Sequence, residues 1–282
     1  MKACILVLLL TLFLIPVGRS LAQQSPDPKQ ANIIAYAHFK ALTPTELSQI
    51  LSKAQSGDAE AQYWMGILYT EGKVPKNLEE GGRWLRKSAE QGYASAQRLY
   101  GLMSAHVNPP VGKRWMLRAA EQGDAEAQFW LGVAYEQNWF GTTDVKEAAK
   151  WYQKAAQAGD PDAQVELGQK YAYGEGVEQS FTIAAEWYRK AAEHVPDLGG
   201  AGQGRNQLGL LYMQGRGVPQ DYVQAYFWFG LDSAEGNAVD AREHLTPAQI
   251  RGVERLMDEW KQQHRPSPEL AAALHTMEAN SR

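Results

Sequence analysis

Hydrophobic residues recur at helical spacing along most of this chain of 282 residues. In the segment 159–194, Ala163, Leu167 and Tyr171 are four residues apart, so they share one face of a helix. After a polar, glycine-rich stretch, a second apolar stripe follows at Ala184, Trp187, Tyr188, Ala191 and Ala192. The pattern predicts two amphipathic helices joined by a turn.

Capping residues mark the ends of both predicted helices in this segment. Asp160 is a preferred N-cap, and Pro161 suits the first helical position because its missing N–H has no partner there. Gly174 and Gly176 supply the positive φ angles of a tight turn after the first helix. Ser180 caps the second helix. The segment therefore forms one helix–turn–helix unit.

The same unit is repeated along the chain. The hexapeptide GDAEAQ occupies residues 57–62 and again residues 123–128. Glycines 31 to 41 residues apart begin successive units at Gly57, Gly92, Gly123, Gly159, Gly200 and Gly236. A tryptophan follows each of the first five glycines, at Trp84, Trp115, Trp151, Trp187 and Trp228. A period in the mid-thirties is typical of a solenoid of stacked helix pairs.

Large side chains at constant repeat positions are predicted to form the repeat core. They are the five tryptophans of the repeat and four tyrosines, Tyr69, Tyr135, Tyr171 and Tyr212. Each aromatic ring of this size buries roughly 150–250 Å² in a protein interior. Recurrence at one position favours a structural role over a ligand cage.

The repeated segments resemble the Sel-one-like repeat family, a relative of the tetratricopeptide repeats. The resemblance rests on AQVELGQKY, GEGV and EWYRKAAE in one unit, and on NQLGLLY, GRGV and AYFWFG in another. It covers about residues 57–236. It implies an all-α fold, a right-handed α/α solenoid of about five helix-turn-helix repeats with capping helices at both ends.

Cap signals and composition divide the chain into five parts. TPTE at 43–46 and TPAQ at 246–249 each begin a predicted terminal helix, and SPEL at 267–270 begins another short one. The predicted parts are a signal peptide (1–22), a partly disordered leader (23–42), an N-terminal capping helix (43–56), the solenoid (57–244) and C-terminal capping helices (245–282).

Several details depart from, or add to, the regular repeat. In the second unit AHVNPPVG replaces the usual loop, and we expect Pro109 and Pro110 to force an extended turn there. NLEE at 77–80 and DVKE at 144–147 predict capping boxes. Trp139 and Phe140 lie in an irregular loop at no repeat position.

Two alternatives remain open for Trp139 and Phe140. An exposed aromatic pair is typical of a binding hot spot, so the pair is a candidate contact with a partner protein. The other possibility is that both rings fold back onto the neighbouring unit.

The N-terminus predicts export. Lys2 precedes an almost wholly apolar run at 3–17, and Ser20-Leu21-Ala22 suits a signal peptidase, so we expect cleavage after Ala22; an uncleaved anchor is the alternative. Cleavage removes Cys4, the single cysteine, and changes the formal net charge from −4 to −6. We therefore expect a periplasmic or secreted protein without disulfides, and the acidic charge argues against nucleic acid as a partner.

The sequence offers no catalytic constellation. None of the six histidines lies in an H-E-x-x-H motif, and neither G-x-S-x-G nor S-x-x-K occurs. The glycine-rich stretches follow predicted helices and lack a G-K-[ST], so they indicate turns rather than a phosphate loop. We predict no catalytic residues, no metal and no cofactor.

The resemblance implies a protein-binding function. We expect a monomeric, non-enzymatic scaffold or adaptor of the bacterial periplasm or cell envelope, which binds a partner protein or peptide on the concave face of the solenoid. One alternative is a periplasmic immunity protein that neutralises a toxic effector. Another is a cell-wall or β-lactam hydrolase.

Overall fold

The structure, a computed structural model, describes residues 42–71, 74–194, 199–231 and 235–279. All regular secondary structure in these ranges is helical. The predicted signal peptide and nearly all of the predicted leader lie outside the described residues. The all-α prediction is confirmed.

Fourteen helices occupy the described ranges. In chain order they are α1 (Pro44–Gln55), α2 (Ala59–Glu71), α3 (Leu78–Glu90), α4 (Ala94–Ala105), α5 (Pro109–Glu121), α6 (Ala125–Glu136), α7 (Val145–Gln157), α8 (Pro161–Tyr173), α9 (Phe181–Ala192), α10 (Ala201–Gln214), α11 (Tyr222–Leu231), α12 (Glu235–Arg242), α13 (Pro247–Gln263) and α14 (Pro268–Ala279).

Helices α1 to α13 lie in one compact unit, residues 40–268, in which each helix from α1 to α11 packs against the next in the chain. Contacts between alternate helices are fewer and join α4 to α6, α8 to α10 and α11 to α13. Five helix pairs, from α2/α3 to α10/α11, thus follow one another as repeats. This sequential packing is that of an α/α solenoid.

The duplicated hexapeptide joins one helix to the next. Gly57 has φ of +101°, and its N–H donates to the carbonyl of Ala54 at 3.2 Å, which ends α1. The Asp58 side chain accepts from the N–H of Ala61 at 2.7 Å and so caps α2. Gln62 Nε2 donates to the carbonyl of Ala54 at 3.1 Å. Six residues therefore end one helix, begin another and bond the two together.

Later repeats use the same bond from a buried side chain to the end of the preceding helix. The glutamine pairs are Gln97 with Ala89, Gln128 with Ala120 and Gln164 with Ala156, at 3.0–3.2 Å. In the fifth repeat Arg205 replaces the glutamine, and its Nε donates to the carbonyl of Ala192 at 3.0 Å. Each glutamine bond adds a second donor to a carbonyl that already accepts the N–H of the repeat glycine, in the last helical turn where no N–H of the same helix is available.

A backbone hydrogen bond sets the connection inside each repeat. The carbonyl of the repeat tyrosine accepts the N–H of the next N-cap residue, in the pairs Tyr69–Asn77, Tyr135–Asp144, Tyr171–Ser180 and Tyr212–Asp221, at 2.8–3.1 Å. In the second repeat Ser104 replaces the tyrosine and binds Asn108 at 2.7 Å across a connection of only three residues. All four tyrosines are half-buried.

The two helices of each repeat meet where a glycine faces a large side chain. The pairs are Gly66–Leu85, Gly101–Met116, Gly132–Tyr152, Gly168–Tyr188 and Gly209–Phe229, and a Cβ on each glycine would lie 2.5–2.7 Å from its partner. The five large side chains are fully buried. Each directly follows a repeat tryptophan.

The repeat tryptophans lie beside this contact. Trp151 and Trp228 are buried, whereas Trp84, Trp115 and Trp187 are half-buried. Four of the rings are covered by the cation three residues later, at 3.9–4.7 Å from the ring centroid: Lys87, Arg118, Lys154 and Lys190. These indoles therefore lie between the glycine contact and a layer of surface cations.

The predicted extended turn at Pro109 and Pro110 is wrong. Both prolines belong to the first turn of α5, and Asn108 caps that helix through a bond from the N–H of Val111 at 3.3 Å. Proline is tolerated in the first helical turn because the N–H groups there have no partner within the helix. The second repeat therefore has a short connection, residues 106–108, followed directly by helix.

The capping boxes predicted at 77–80 and 144–147 form only in part. Asp144 caps α7, but the Glu147 carboxylate binds Lys150 at 2.8 Å, one turn further on. The first repeat shows the same arrangement, with Asn77 as cap and Glu80 bound to Arg83. A lysine or arginine at i+3 attracts the glutamate away from the N-cap backbone. Complete boxes occur at the N-termini of α1 and α13.

The glycine contact predicts the effect of one methyl group. Gly132→Ala should lower the free energy of unfolding by about 1–3 kcal/mol, because the new Cβ overlaps the Tyr152 ring. Gly252→Ala in α13 is the matched control: its Cβ meets no atom within 4 Å, so it should raise stability by about 0.5–1 kcal/mol. Chemical denaturation measures both values, and equal effects would contradict the contact.

A missing hydrogen-bond donor predicts a stabilising substitution. In the first two repeats, the C-cap residue of the second helix donates a hydrogen bond to the glutamine of the first helix. Gln91 donates to Gln62 at 2.8 Å, and Gln122 donates to Gln97 at 2.7 Å. In the third repeat the C-cap is the exposed Ala158. The buried Oε1 of Gln128 accordingly has no hydrogen-bond partner in the described part of the chain.

Ala158→Gln should supply this donor and raise the free energy of unfolding by about 1 kcal/mol. Ala158→Glu is the control, because a carboxylate has a similar shape but only accepts hydrogen bonds. A glutamate at a helix C-terminus is also unfavourable to the helix dipole. Chemical denaturation of both variants tests the assignment, which fails if glutamate stabilises as much as glutamine.

Candidate binding cleft

The short second repeat leaves a helix end uncovered. In the fourth and fifth repeats the inter-helix loop lies on the start of the preceding repeat's second helix, and a Cβ on Gly176 would be 2.3 Å from the carbonyl oxygen of Val145. Arg216 likewise lies 4.0 Å over the Phe181 ring. The second repeat lacks this loop, and Leu78, the matching residue of α3, is 56% exposed.

A cleft of about 610 Å³ opens between α3, α4 and α5. Its cations are Arg86, Arg114 and Arg118, and its aromatic residues are Tyr100 and Trp115. The remaining lining residues are apolar or uncharged, and none is acidic. The cleft thus combines positive charge with aromatic surface in a protein whose net charge is −4.

Among the described residues Arg114 has no ion-pair partner, and the proline start of α5 accounts for this. At the same repeat position Arg83 binds Glu79 at 2.6 Å, and Lys150 binds Glu147 at 2.8 Å. The corresponding turn of α5 carries proline and valine in place of glutamate. Arg114 is exposed and makes no ion pair among the described residues. The sequence change that shortens the connection also leaves this charge unneutralised.

Aromatic rings fix the wall of the cleft on α5. The Arg118 guanidinium lies 4.7 Å from the centroid of the Trp115 ring. Tyr100 meets Trp115 edge to face, with centroids 5.8 Å apart and an interplanar angle of 77°. Arg86, on the α3 side, binds the exposed Glu90 at 2.8 Å. The two arginines of α5 therefore carry most of the unneutralised charge.

The irregular loop of the third repeat packs on helix α6 of its own repeat and on the short connection of the second repeat. Trp139 stacks on Trp130 with centroids 6.0 Å apart and lies 5.6 Å from His106 of the short connection. Phe140 meets Tyr135 edge to face at 5.5 Å. Trp139 and Phe140 are half-buried, as the fold-back alternative requires. Their role in partner binding stays a prediction.

A buried charged cluster joins the third and fourth repeats. The Lys170 side chain, 3% exposed, contacts the Glu136 carboxylate and binds Glu175 at 2.8 Å. The Tyr152 hydroxyl donates to Glu136 at 2.8 Å. Burial opposes the charge of Lys170, but the hydrogen bonds that its ammonium group donates to the two carboxylates outweigh burial and raise the pKa of Lys170. Burial, followed by the nearby Glu136 charge, raises the pKa of Glu166.

Sequence reasoning missed this cluster, although a signal was present. The other four repeats carry apolar residues at the position of Lys170, namely Leu68, Met103, Ala134 and Leu211. A charged residue at an otherwise apolar repeat position indicates a special contact. The described residues contain no group of three histidine, cysteine or acidic side chains placed to hold a metal ion.

The chain matches the Sel1 repeat family over five segments, 59–93, 94–124, 125–160, 161–194 and 203–231. These segments cover more than half of the sequence, and they coincide with the five helix pairs described above. The protein therefore belongs to the Sel1 repeat family. Proteins of this family generally act as scaffolds for protein–protein interaction.

Solved structures are similar over most of the chain. A protective antigen of uropathogenic Escherichia coli with an SLR fold is 30% identical, with a TM-score of 0.70 and 87% of this chain covered. This chain spans 55% of that antigen chain. A Sel1 repeat protein from Oxalobacter formigenes is 26% identical, with a TM-score of 0.60, 83% of this chain and 99% of its own covered.

A more distant similarity joins this chain to an immunity protein of Pseudomonas aeruginosa, at 18% identity and a TM-score of 0.45, with 78% of this chain and 86% of that one covered. That similarity is too low to support an argument about function. The comparison with curated proteins found no match. None of the described helices has the length and hydropathy needed to cross a bilayer.

The buried cluster predicts a difference between single and combined substitutions. Glu136→Ala should lower the free energy of unfolding by about 2 kcal/mol, because it leaves the buried Lys170 with a single carboxylate. Replacing Glu136, Tyr152 and Lys170 together by the residues of the fifth repeat (methionine, phenylalanine and leucine) removes every buried polar group of the set. The triple variant should be at least as stable as the wild type. Chemical denaturation decides, and a triple variant less stable than Glu136→Ala would contradict this account.

Proposed function

We propose that the protein is a non-enzymatic scaffold of the bacterial periplasm or cell envelope, which binds a partner protein. Membership of the Sel1 repeat family supports the protein-binding part. The apolar N-terminal run and the small residues before Gln23 support export. The partner's identity distinguishes an adaptor from an immunity protein.

The observation that carries the proposal is the cleft beside the short second repeat. The recurring contacts, namely the glycine pairs, the glutamine bonds and the covered tryptophans, hold helices together and leave their atoms occupied. The cleft differs because exposed arginines and the half-buried rings of Tyr100 and Trp115 line it, and arginine and aromatic residues are enriched at the hot spots of protein interfaces. The proposal therefore places the first contact in this cleft. A partner site on the concave face stays a prediction.

Capture from envelope extract tests the proposal. The purified protein, immobilised, should retain a specific partner, identified by mass spectrometry and then titrated as a purified protein by calorimetry. Val107→Asp should weaken that complex about tenfold or more, because Val107 lines the cleft and is 87% exposed. Val239→Asp, an equally apolar and 52% exposed residue of α12, is the matched control and should change the affinity less than about twofold.

Two results would contradict the proposal. One is the absence of any partner that binds the purified protein with a defined stoichiometry. The other is turnover of a cell-wall or β-lactam substrate that is lost when one carboxylate is replaced. Equal binding by both valine variants would retain the scaffold but exclude the cleft as its contact.

A further inference from the structure

Resting on the proposed scaffold function, we infer that the cleft between α3, α4 and α5 binds an extended acidic segment of the partner. Arg114 and Arg118 bind two carboxylates of that segment, and the rings of Tyr100 and Trp115 contact an apolar side chain next to them.

Charge complementarity selects an acidic occupant. The chain has a net charge of −4, but the cleft has three arginines and no acidic residue in its lining. Screening at physiological salt acts over about 8 Å, so a bound segment responds to the arginines beside it more than to charges beyond that distance. Glu90 neutralises Arg86, whereas Arg114 and Arg118 have no carboxylate partner in the described ranges.

The spacing of the two arginines selects an extended segment. Arg114 and Arg118 are four residues apart on α5 and therefore lie on one face, with Cβ atoms roughly 5–6 Å apart. Alternate side chains of an extended peptide are about 6.6 Å apart on one side, from a rise of about 3.3 Å per residue. Acidic residues at positions i and i+2 of such a segment therefore match the two guanidinium groups.

The cation–π contact prepares one arginine for this role. The Arg118 guanidinium carbon lies 4.7 Å from the centroid of the Trp115 ring, and an arginine in a cation–π contact can still donate its N–H groups to a carboxylate. Those groups are the ones that bind a carboxylate in a bidentate manner. A side chain already held in place loses less conformational entropy on binding.

A nucleic acid is the competing anionic occupant, since aromatic rings and arginines also bind nucleotides. Its affinity depends on many phosphate contacts along a basic track. Here the unneutralised cations of the cleft are confined to two positions of one helix. In the first and third repeats the counterparts of Arg114, namely Arg83 and Lys150, are paired with glutamate, whereas the counterparts of Arg118, namely Lys87 and Lys154, lie over tryptophan rings. A short acidic peptide suits this confined site better.

Fluorescence anisotropy with defined peptides tests the inference on the purified full chain. The probe is a fluorescein-labelled peptide of sequence GSDFDLDSG, and GSNFNLNSG is the uncharged control. The acidic peptide should bind, and the asparagine peptide should bind about tenfold more weakly or worse, since charge-assisted hydrogen bonds are the stronger class. Binding should weaken as salt is added.

Matched variants locate the site. Arg114→Gln with Arg118→Gln should weaken acidic-peptide binding about tenfold or more. Lys150→Gln with Lys154→Gln removes the same charge at the same repeat positions of α7, and should change it less than about twofold. All four side chains are exposed, so both variants should keep the circular dichroism and melting of the wild type.

Three outcomes of the peptide experiments would overturn the inference: equal binding of both peptides, equal weakening by both double variants, or equally tight binding of an oligothymidylate that displaces the peptide. A captured partner that binds the arginine double variant as tightly as the wild type would also overturn it, with the scaffold function intact. Failure to capture any partner would instead contradict the proposed function, whatever the peptide result.

Discussion

The structure depends on the close approach of two helices at a glycine in every repeat. A Cβ at Gly168 would be 2.5 Å from the Tyr188 ring, a separation that real Cβ atoms essentially never show. Absence of a side chain on one helix therefore permits a buried, large side chain on the other. The tryptophan that precedes the large residue is turned by about 100° around the helix, so it lies at the border of the contact, where a cation covers it.

The fold was largely predictable because its signals are local. N-caps, glycine turns and apolar stripes act within a few residues, and the structure has helices where those signals predict them. The errors arose where one sequence signal fits two structures. Two consecutive prolines are compatible with an extended turn and with the first turn of a helix. Here Asn108 caps a helix, so the prolines lie in its first turn. Glu147 could complete a capping box or form an i,i+3 ion pair. The structure shows the ion pair, with Lys150.

The cleft and the charged cluster depend on neighbours that no local pattern specifies. In the fourth and fifth repeats the inter-helix loop lies on the second helix of the repeat before it, whereas the second repeat has only residues 106–108 at this place, and Leu78 is more exposed than Val145, its counterpart under a loop. Glu136 and Lys170 are 34 residues apart, and their meeting requires the relative position of two repeats. Comparison of the repeat sequences identifies these positions as irregular, but only the packing of the helices shows which residues they contact.

Irregular positions are better suited to partner recognition than regular ones for a physical reason. A surface built from identical repeats offers the same contacts once in every repeat, so a partner could bind in several registers of equal free energy. Recognition in one register needs a difference between the best and the next-best position. The short connection at 106–108, the unpaired Arg114 and the buried Lys170 each occur in one repeat of the five. They supply the differences that a periodic helix stack lacks, and the first two lie in the same cleft.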